Sequence, residues 1–217
     1  YVRKNLVAKV LETPRGFQDL DEPSTWIAVY KALIELHPKS IEGFNAQLTV
    51  DTVSTPFGGA GEEIEAPSDV KRAKSSPSLS WVDKYGRPIS TFWDNYILEL
   101  IGDPITKTPN VMTRAQMRNK ELPDMLPDYI GGTVIFFEPD PTFTMVDKAW
   151  LVTNFWPKSG APIEGRRDLT AGGDMLEFSI EFTALSQVGF GVIALAQRLL
   201  NEMNLTATNP NNREEFI

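Results

Sequence analysis

The chain has 217 residues, 41% apolar and 23% charged, which is enough apolar material for one large core. It has no cysteine and one histidine, His37, so disulfides, thiol nucleophiles and cysteine–zinc sites are excluded and catalysis would fall to carboxylates, lysine and tyrosine. A net charge of −8 argues against a tight nucleic-acid groove, which needs lysine and arginine to displace phosphate counterions, and no apolar run approaches the length of a membrane-spanning helix.

Residues 1–12 mix Arg3, Lys4 and Lys9 with apolar side chains, unlike the continuous apolar stretch of a secretory signal. Ser24 reads as an N-cap, and Trp26, Val29, Tyr30, Leu33 and Leu36 share one stripe, predicting a helix over 25–37 that Pro38 stops. His37 then sits where an imidazole suits exposed helix carbonyls. Residues 46–53 alternate, with Ala46, Leu48 and Val50 on one side and Gln47, Thr49 and Asp51 on the other, which predicts a half-buried strand. Pro56, Gly58, Gly59, Gly61 and Pro67 mark 54–68 as a long exposed loop. Short strands are predicted over 70–74 and 78–83. Ser90 reads as the cap of a second helix, in which Trp93, Tyr96, Ile97, Leu100 and Ile101 recur at helical spacing before Gly102 ends it.

Residues 105–128 are polar and aperiodic, a connection of functional length. Strands are predicted over 133–138, 145–156 and 175–185. In the last, Leu176, Phe178, Ile180, Phe182 and Ala184 alternate with Glu177, Ser179, Glu181 and Thr183. A helix over 191–204 and a polar, frayed end over 209–217 complete the chain. Strands dominate, so the expected class is mainly β or α+β.

Few residues suggest chemistry. The glycines at 58, 59 and 61 are followed by Glu62 and Glu63, which repel the phosphate that such a loop would otherwise cradle. Glu138, Asp140 and Asp147 lie close together, but Pro139 and Pro141 interrupt the geometry of a calcium loop. Trp26, Trp81, Trp93, Trp150 and Trp156 are expected to be packing residues, some at a subunit interface. Glu177 and Glu181 share a strand face without a basic residue. That face suits either a solvated outer surface or an acidic channel wall past which DNA slides without adsorbing.

The block 64–104, with Leu79-Ser80-Trp81-Val82-Asp83, Gly86 and Phe92-Trp93-Asp94-Asn95-Tyr96, resembles the core of myovirus tail-tube proteins. Residues 149–157, ending Asn154-Phe155-Trp156-Pro157, together with 174–185, are similar to that family's closing strand pair. Gly58-Gly59-Ala60-Gly61-Glu62-Glu63, Lys71-Arg72-Ala73 and Arg166-Arg167-Asp168 look like the tube subunits of jumbo-type myophages. The resemblance spans 41–205. It implies a β-sandwich or open barrel with flanking helices; an extension over 1–40 and an insertion over 105–128 depart from the smallest tube proteins, and a tail over 206–217 follows.

It further implies a virion structural protein without catalytic activity, cofactor or metal, assembled in the host cytoplasm. Hexameric rings would merge their sheets into a continuous inner barrel and stack inside a contractile sheath. Baseplate and terminator proteins would close the ends, and the genome would pass through unbound. In that frame Pro56, Gly58, Gly59, Gly61, Glu62, Glu63 and Glu65 are expected to contact neighbouring subunits, their acids meeting Lys71, Arg72 and Lys74 of another copy. Gln47, Asp51, Glu177 and Glu181 are the candidates for the lumen. The same fold would serve a tube initiator, a baseplate protein or a contractile secretion-system tube. A hydrolase is the reading from another class, and it would need Glu138 or Asp140 in a concave pocket.

Overall fold

The computed structural model describes residues 6–45, 47–59, 61–72, 75–109, 127–162 and 176–205. Strands β1 (Val7–Glu12), β2 (Ser40–Glu42), β5 (Ser78–Val82), β6 (Gly132–Pro139), β7 (Val146–Pro157) and β8 (Glu177–Gln187) form one antiparallel sheet, ordered β1-β6-β7-β8-β5-β2 and curled into a half-barrel. Strands β3 (Leu48–Phe57) and β4 (Glu62–Arg72) pair only with each other, as a separate two-stranded sheet. Flanking helices are α1 (Pro23–Glu35), α2 (Pro88–Tyr96), the short α3 (Pro127–Ile130) and α4 (Phe190–Leu205). A 3₁₀ turn, Arg15–Asp19, precedes α1.

Strand β6 is covered on both faces, which is why it reads as an unbroken apolar run from Val134 to Phe137. On one face Val134 and Phe136 join Leu79, Trp81, Val152, Phe155, Ile180 and Phe182 in the main core, closed by Tyr30 and Leu33 of α1 and Trp93 and Tyr96 of α2. On the other face Ile135 and Phe137 lie with Val146 and Ala149 under Ala196 and Leu200 of α4. Aromatic rings set the centre of the main core. Trp81 and Trp93 stand 5.2 Å apart, and Phe155 stacks on Phe182 at 4.4 Å. Such pairs add about 1 kcal/mol each beyond area burial. Trp81, Trp93 and Trp150 are buried, as expected of packing residues.

Several local expectations need correction. Residues 7–12 and 40–42 form strands that the alternation pattern had not marked. Helix α1 begins at Pro23, with Glu22 in the left-handed region as its N-cap, so Ser24 lies inside the first turn. Proline suits that place because its missing N–H would have no helical partner anyway. His37 lies two residues beyond the last residue of α1, its N–H still donating to Ala32 O at 3.1 Å.

Ser90 does not cap α2 either. Arg87 is the N-cap, at φ 53. The cap itself comes from Asp83, whose carboxylate accepts the N–H groups of Lys84 (3.0 Å), Ile89 (3.2 Å) and Ser90 (3.3 Å) and the Ser90 hydroxyl. Burial pushes the Asp83 carboxyl up, but these donors outweigh it and hold the group below the usual aspartate value. Beyond Tyr96 the helix widens into a π turn, Ile97–Ile101, in which the Gly102 N–H reaches Ile97 O at 3.0 Å.

Replacing Asp83 with Ala orphans the first turn of α2 and costs about 1–2 kcal/mol, roughly 3–6 °C in Tm for a chain of this size. The folded-state value is depressed, so this contribution is complete above the ordinary carboxylate range and fades as pH falls through the folded value. The Tm gap between wild type and D83A therefore narrows below about pH 4. Calorimetry at neutral and acid pH checks this; an equal gap at both would contradict it.

Candidate self-assembly surface

The β3–β4 hairpin is an arm about 33 Å long at the usual rise per residue. The residues read as a loop over 54–68 are its distal half, paired from Thr52↔Pro67 to Phe57↔Glu62. Glycine and proline dominated that reading, but Thr52, Val53 and Thr55 are strand formers. Gly58 and Gly61, at φ 85 and 82, supply the left-handed backbone that the tight turn requires. A bulge sits between Asp51/Thr52 and their partners, leaving Ser68 as the extra residue, with its hydroxyl on Asp51 O at 2.9 Å.

The expected half-burial of this segment does not occur. Every residue of β3 is exposed except Asp51, which is intermediate, and Ala46 lies outside the described residues. The register still sorts the arm's side chains by face. Leu48, Val50 and Val70 share one face near the root, while Val53, Ile64 and Phe57 share the other face near the tip. All six keep 51–61% of their surface exposed. Apolar side chains left uncovered in such groups mark a surface that another molecule covers.

Among the described residues both outer edges of the arm are also unpaired, because β3 and β4 each have one neighbour. Strand β8 lies inside the strand order, its first half (Glu177–Glu181) paired with β5 and its second half (Phe182–Gln187) with β7, whereas Pro56 and Pro67 each remove one donor from the arm. The two terminal strands of the six-stranded sheet are short or partly capped. Strand β2 has three residues. On β1 the Val10 N–H is taken by Glu35 Oε1 of α1 at 2.9 Å, with Lys9 Nζ on Oε2 of the same carboxylate at 3.2 Å.

The predicted lumen residues fall into two groups. Glu177 and Glu181 lie on the outward side of β8, and Asp51 lies near the arm root. Each has a lysine of the same chain beside it: Lys39 for Glu177, Lys158 for Glu181 and Lys71 for Asp51. The face is thus not free of basic residues, because those lysines come from outside β8, where alternation along a single strand cannot find them. At this exposure the pairs contribute about 0–1 kcal/mol each, so they compensate charge more than they stabilise. Gln47 precedes β3, its N–H on Asn45 Oδ1 at 2.9 Å, beside a cleft of about 570 Å³ that Phe44, Glu138, Lys148 and Trp150 help to line.

Among the expected interface residues, Glu63 lies opposite Pro56 and Glu65 opposite Ser54, and Glu62 opens β4 opposite Phe57. Lys71 is engaged within its own arm, by Asp51 and by Asp69 at 3.8 Å. Arg72 is exposed opposite Leu48, and Lys74 lies outside the described residues, as do Arg166, Arg167, Asp168, residues 110–126 of the insertion and the 206–217 tail. Asp140 spends its carboxylate on its own turn, accepting the N–H groups of Met145 (2.9 Å) and Thr144 (2.7 Å) and the hydroxyls of Thr142 and Thr144, which hold it well below the usual range. Glu138 sits across from Lys148 in the ladder.

No curated protein matches the chain in sequence. Among solved structures, a chain of the anti-feeding prophage (AFP) baseplate is similar at TM-score 0.45 and 11% identity, over 87% of this chain and 95% of that one. A chain from the sheath-tube complex of an extracellular contractile injection system, PVC, is similar at TM-score 0.39 and 14% identity, over 86% and 90%. One from the sheath/tube terminator of that system is similar at TM-score 0.40 and 16% identity, over 72% and 88%. The model of a phage tail tube protein family matches residues 1–217, half-barrel and arm included. The chain belongs to the phage tail tube protein family and is a tail tube subunit.

Proposed function

We propose that copies of this chain join through their arms into hexameric rings, which stack into the tube of a contractile phage tail. The observation that carries this is the arm: two long unpaired edges and six half-exposed apolar side chains on a hairpin that packs on no other element extensively. A two-stranded hairpin is marginal in water on its own. Covering those side chains would add about 1 kcal/mol each, and pairing an edge satisfies a row of backbone groups at once. A neighbour's sheet supplies both, and closure into a ring leaves no edge over.

In this reading the role is structural rather than catalytic. The sheath surrounds the tube, terminator and baseplate proteins meet its ends, and genomic DNA passes through the bore. The resemblance of the sequence blocks to jumbo-type myophage tubes supports a contractile tail. Glu177, Glu181 and Asp51, with Gln47, are assigned to the bore. Paired with their lysines, the three carboxylates make that wall nearly neutral locally, which disfavours adsorption of a polyanion without a strongly repulsive field. The glycine turn and Glu62, Glu63 and Glu65 at the arm tip are assigned to contacts with a neighbouring subunit or ring.

Electron microscopy and size-exclusion chromatography of the purified protein test the assembly. Wild type forms rings and tubes as concentration rises, whereas I64K/V70K stays monomeric with Tm within about 2 °C of wild type, because neither side chain belongs to the core. A wild type that remains monomeric at high concentration would contradict the reading.

E177K/E181K tests the bore. It leaves Lys39 and Lys158 without their carboxylates, so tubes still form but retain duplex DNA at low salt, and release it as salt rises. Failure of this variant to assemble would instead place both side chains in a subunit contact.

A further inference from the structure

Among the described residues, a buried serine ties the root of the arm to the body. Ser75, 2% exposed, is among the few buried polar residues, and it stands just before β5, where the chain returns from the arm. Its hydroxyl donates to Asn45 O at 2.9 Å and accepts the Asn45 N–H at 3.3 Å, joining the outgoing and returning segments. It also meets the Ser186 hydroxyl of β8 at 2.9 Å. With its one proton on Asn45 O, Ser75 receives the proton of Ser186, so its donor and both acceptor positions are used.

The neighbouring backbone enforces the same closure. Gly43, at φ 88, accepts the Ser76 N–H at 3.1 Å, and a Cβ on Gly43 would fall 2.0 Å from Ser76 O. Only glycine fits there.

We propose that Ser75 is the positioning residue of the arm: by tying both root segments to β8 it fixes the direction in which the unpaired edges are offered to the next copy. The proposal rests on the reading of the arm as the assembly surface. A hairpin free to swing must be ordered at each addition, whereas a fixed one has already lost that freedom, so removing the tie raises the concentration needed for assembly. A single neutral hydrogen-bond tie of this kind changes an equilibrium by roughly three- to tenfold.

The chain has no cysteine, so paired spin labels can be placed freely. Labels at T55C on the arm and R198C on the exposed face of α4 report the arm's direction in dilute protein, by double electron–electron resonance. One narrow distance distribution is expected in wild type, and a clearly broader one in S75A. In unlabelled protein, S75A should need roughly three- to tenfold more chain for half-maximal assembly, with Tm lower by only a few degrees. S186A, which cuts only the link to β8, should move both readouts the same way, and it decides the matter if S75A folds poorly. A narrow distribution in the variants overturns the tie. A broad distribution with unaltered assembly overturns its role in positioning. Wild-type protein that never assembles contradicts the assembly reading instead, while the label distances still test the tie.

Discussion

Among the described residues, the outer edges of β3 and β4 have no neighbouring strand to bond to, and the side chains around them have no core to enter. That is the constraint on which the rest of the molecule turns. In an ordinary domain a hairpin of this length would lie on a sheet or under a helix. Here it stands away from both, with apolar groups on opposite faces at root and tip. The subunit is therefore finished in one part and unfinished in another, and the two parts are joined through a few hydrogen bonds at residues 43–45 and 75–76.

The finished part is self-sufficient for physical reasons that the arm lacks. The half-barrel encloses a continuous aromatic cluster from Phe17 through Tyr30, Tyr96, Trp93 and Trp81 to Phe182 and Phe155, and its second face is sealed by α4. Its edges offer little to another chain. Glu35 takes the place of a missing strand at Val10, and β2 is too short to template one. In the proposed assembly such a division would direct association to one element. A body with open edges would pair in many registers, whereas a closed body with an open arm confines pairing to the arm.

The sequence made some of this legible and hid the rest for identifiable reasons. Helix α2 and the π turn that continues it were readable because Trp93, Tyr96 and Leu100 repeat at helical spacing, and β8 because its alternation is uninterrupted from Phe178 to Ala184. Both signals lie within one element. Asp83 was missed as the cap of α2 because it sits five residues before the first helical residue and acts across a turn. The distal arm looked like a loop because Pro56, Gly58, Gly59 and Gly61 outweighed the β-branched residues beside them. The charge balance on the outward side of β8 was hidden for a third reason. Lys39 and Lys158 reach Glu177 and Glu181 from other segments, and pairing between segments is not written in any local window. Ser75 carried no signal of its own, as one serine among many.

The central claim is that the arm's outer edges are open in the single subunit and closed in the tube. Amide hydrogen exchange over residues 48–57 and 62–72, measured on dilute subunits and on assembled tubes, addresses it directly. Peptides from the arm should exchange rapidly at their outward-facing amides in the free chain and become strongly protected on assembly, while β6 and β7 are protected in both states. An arm already protected in the free subunit, or one that exchanges equally fast in the tube, would contradict the account.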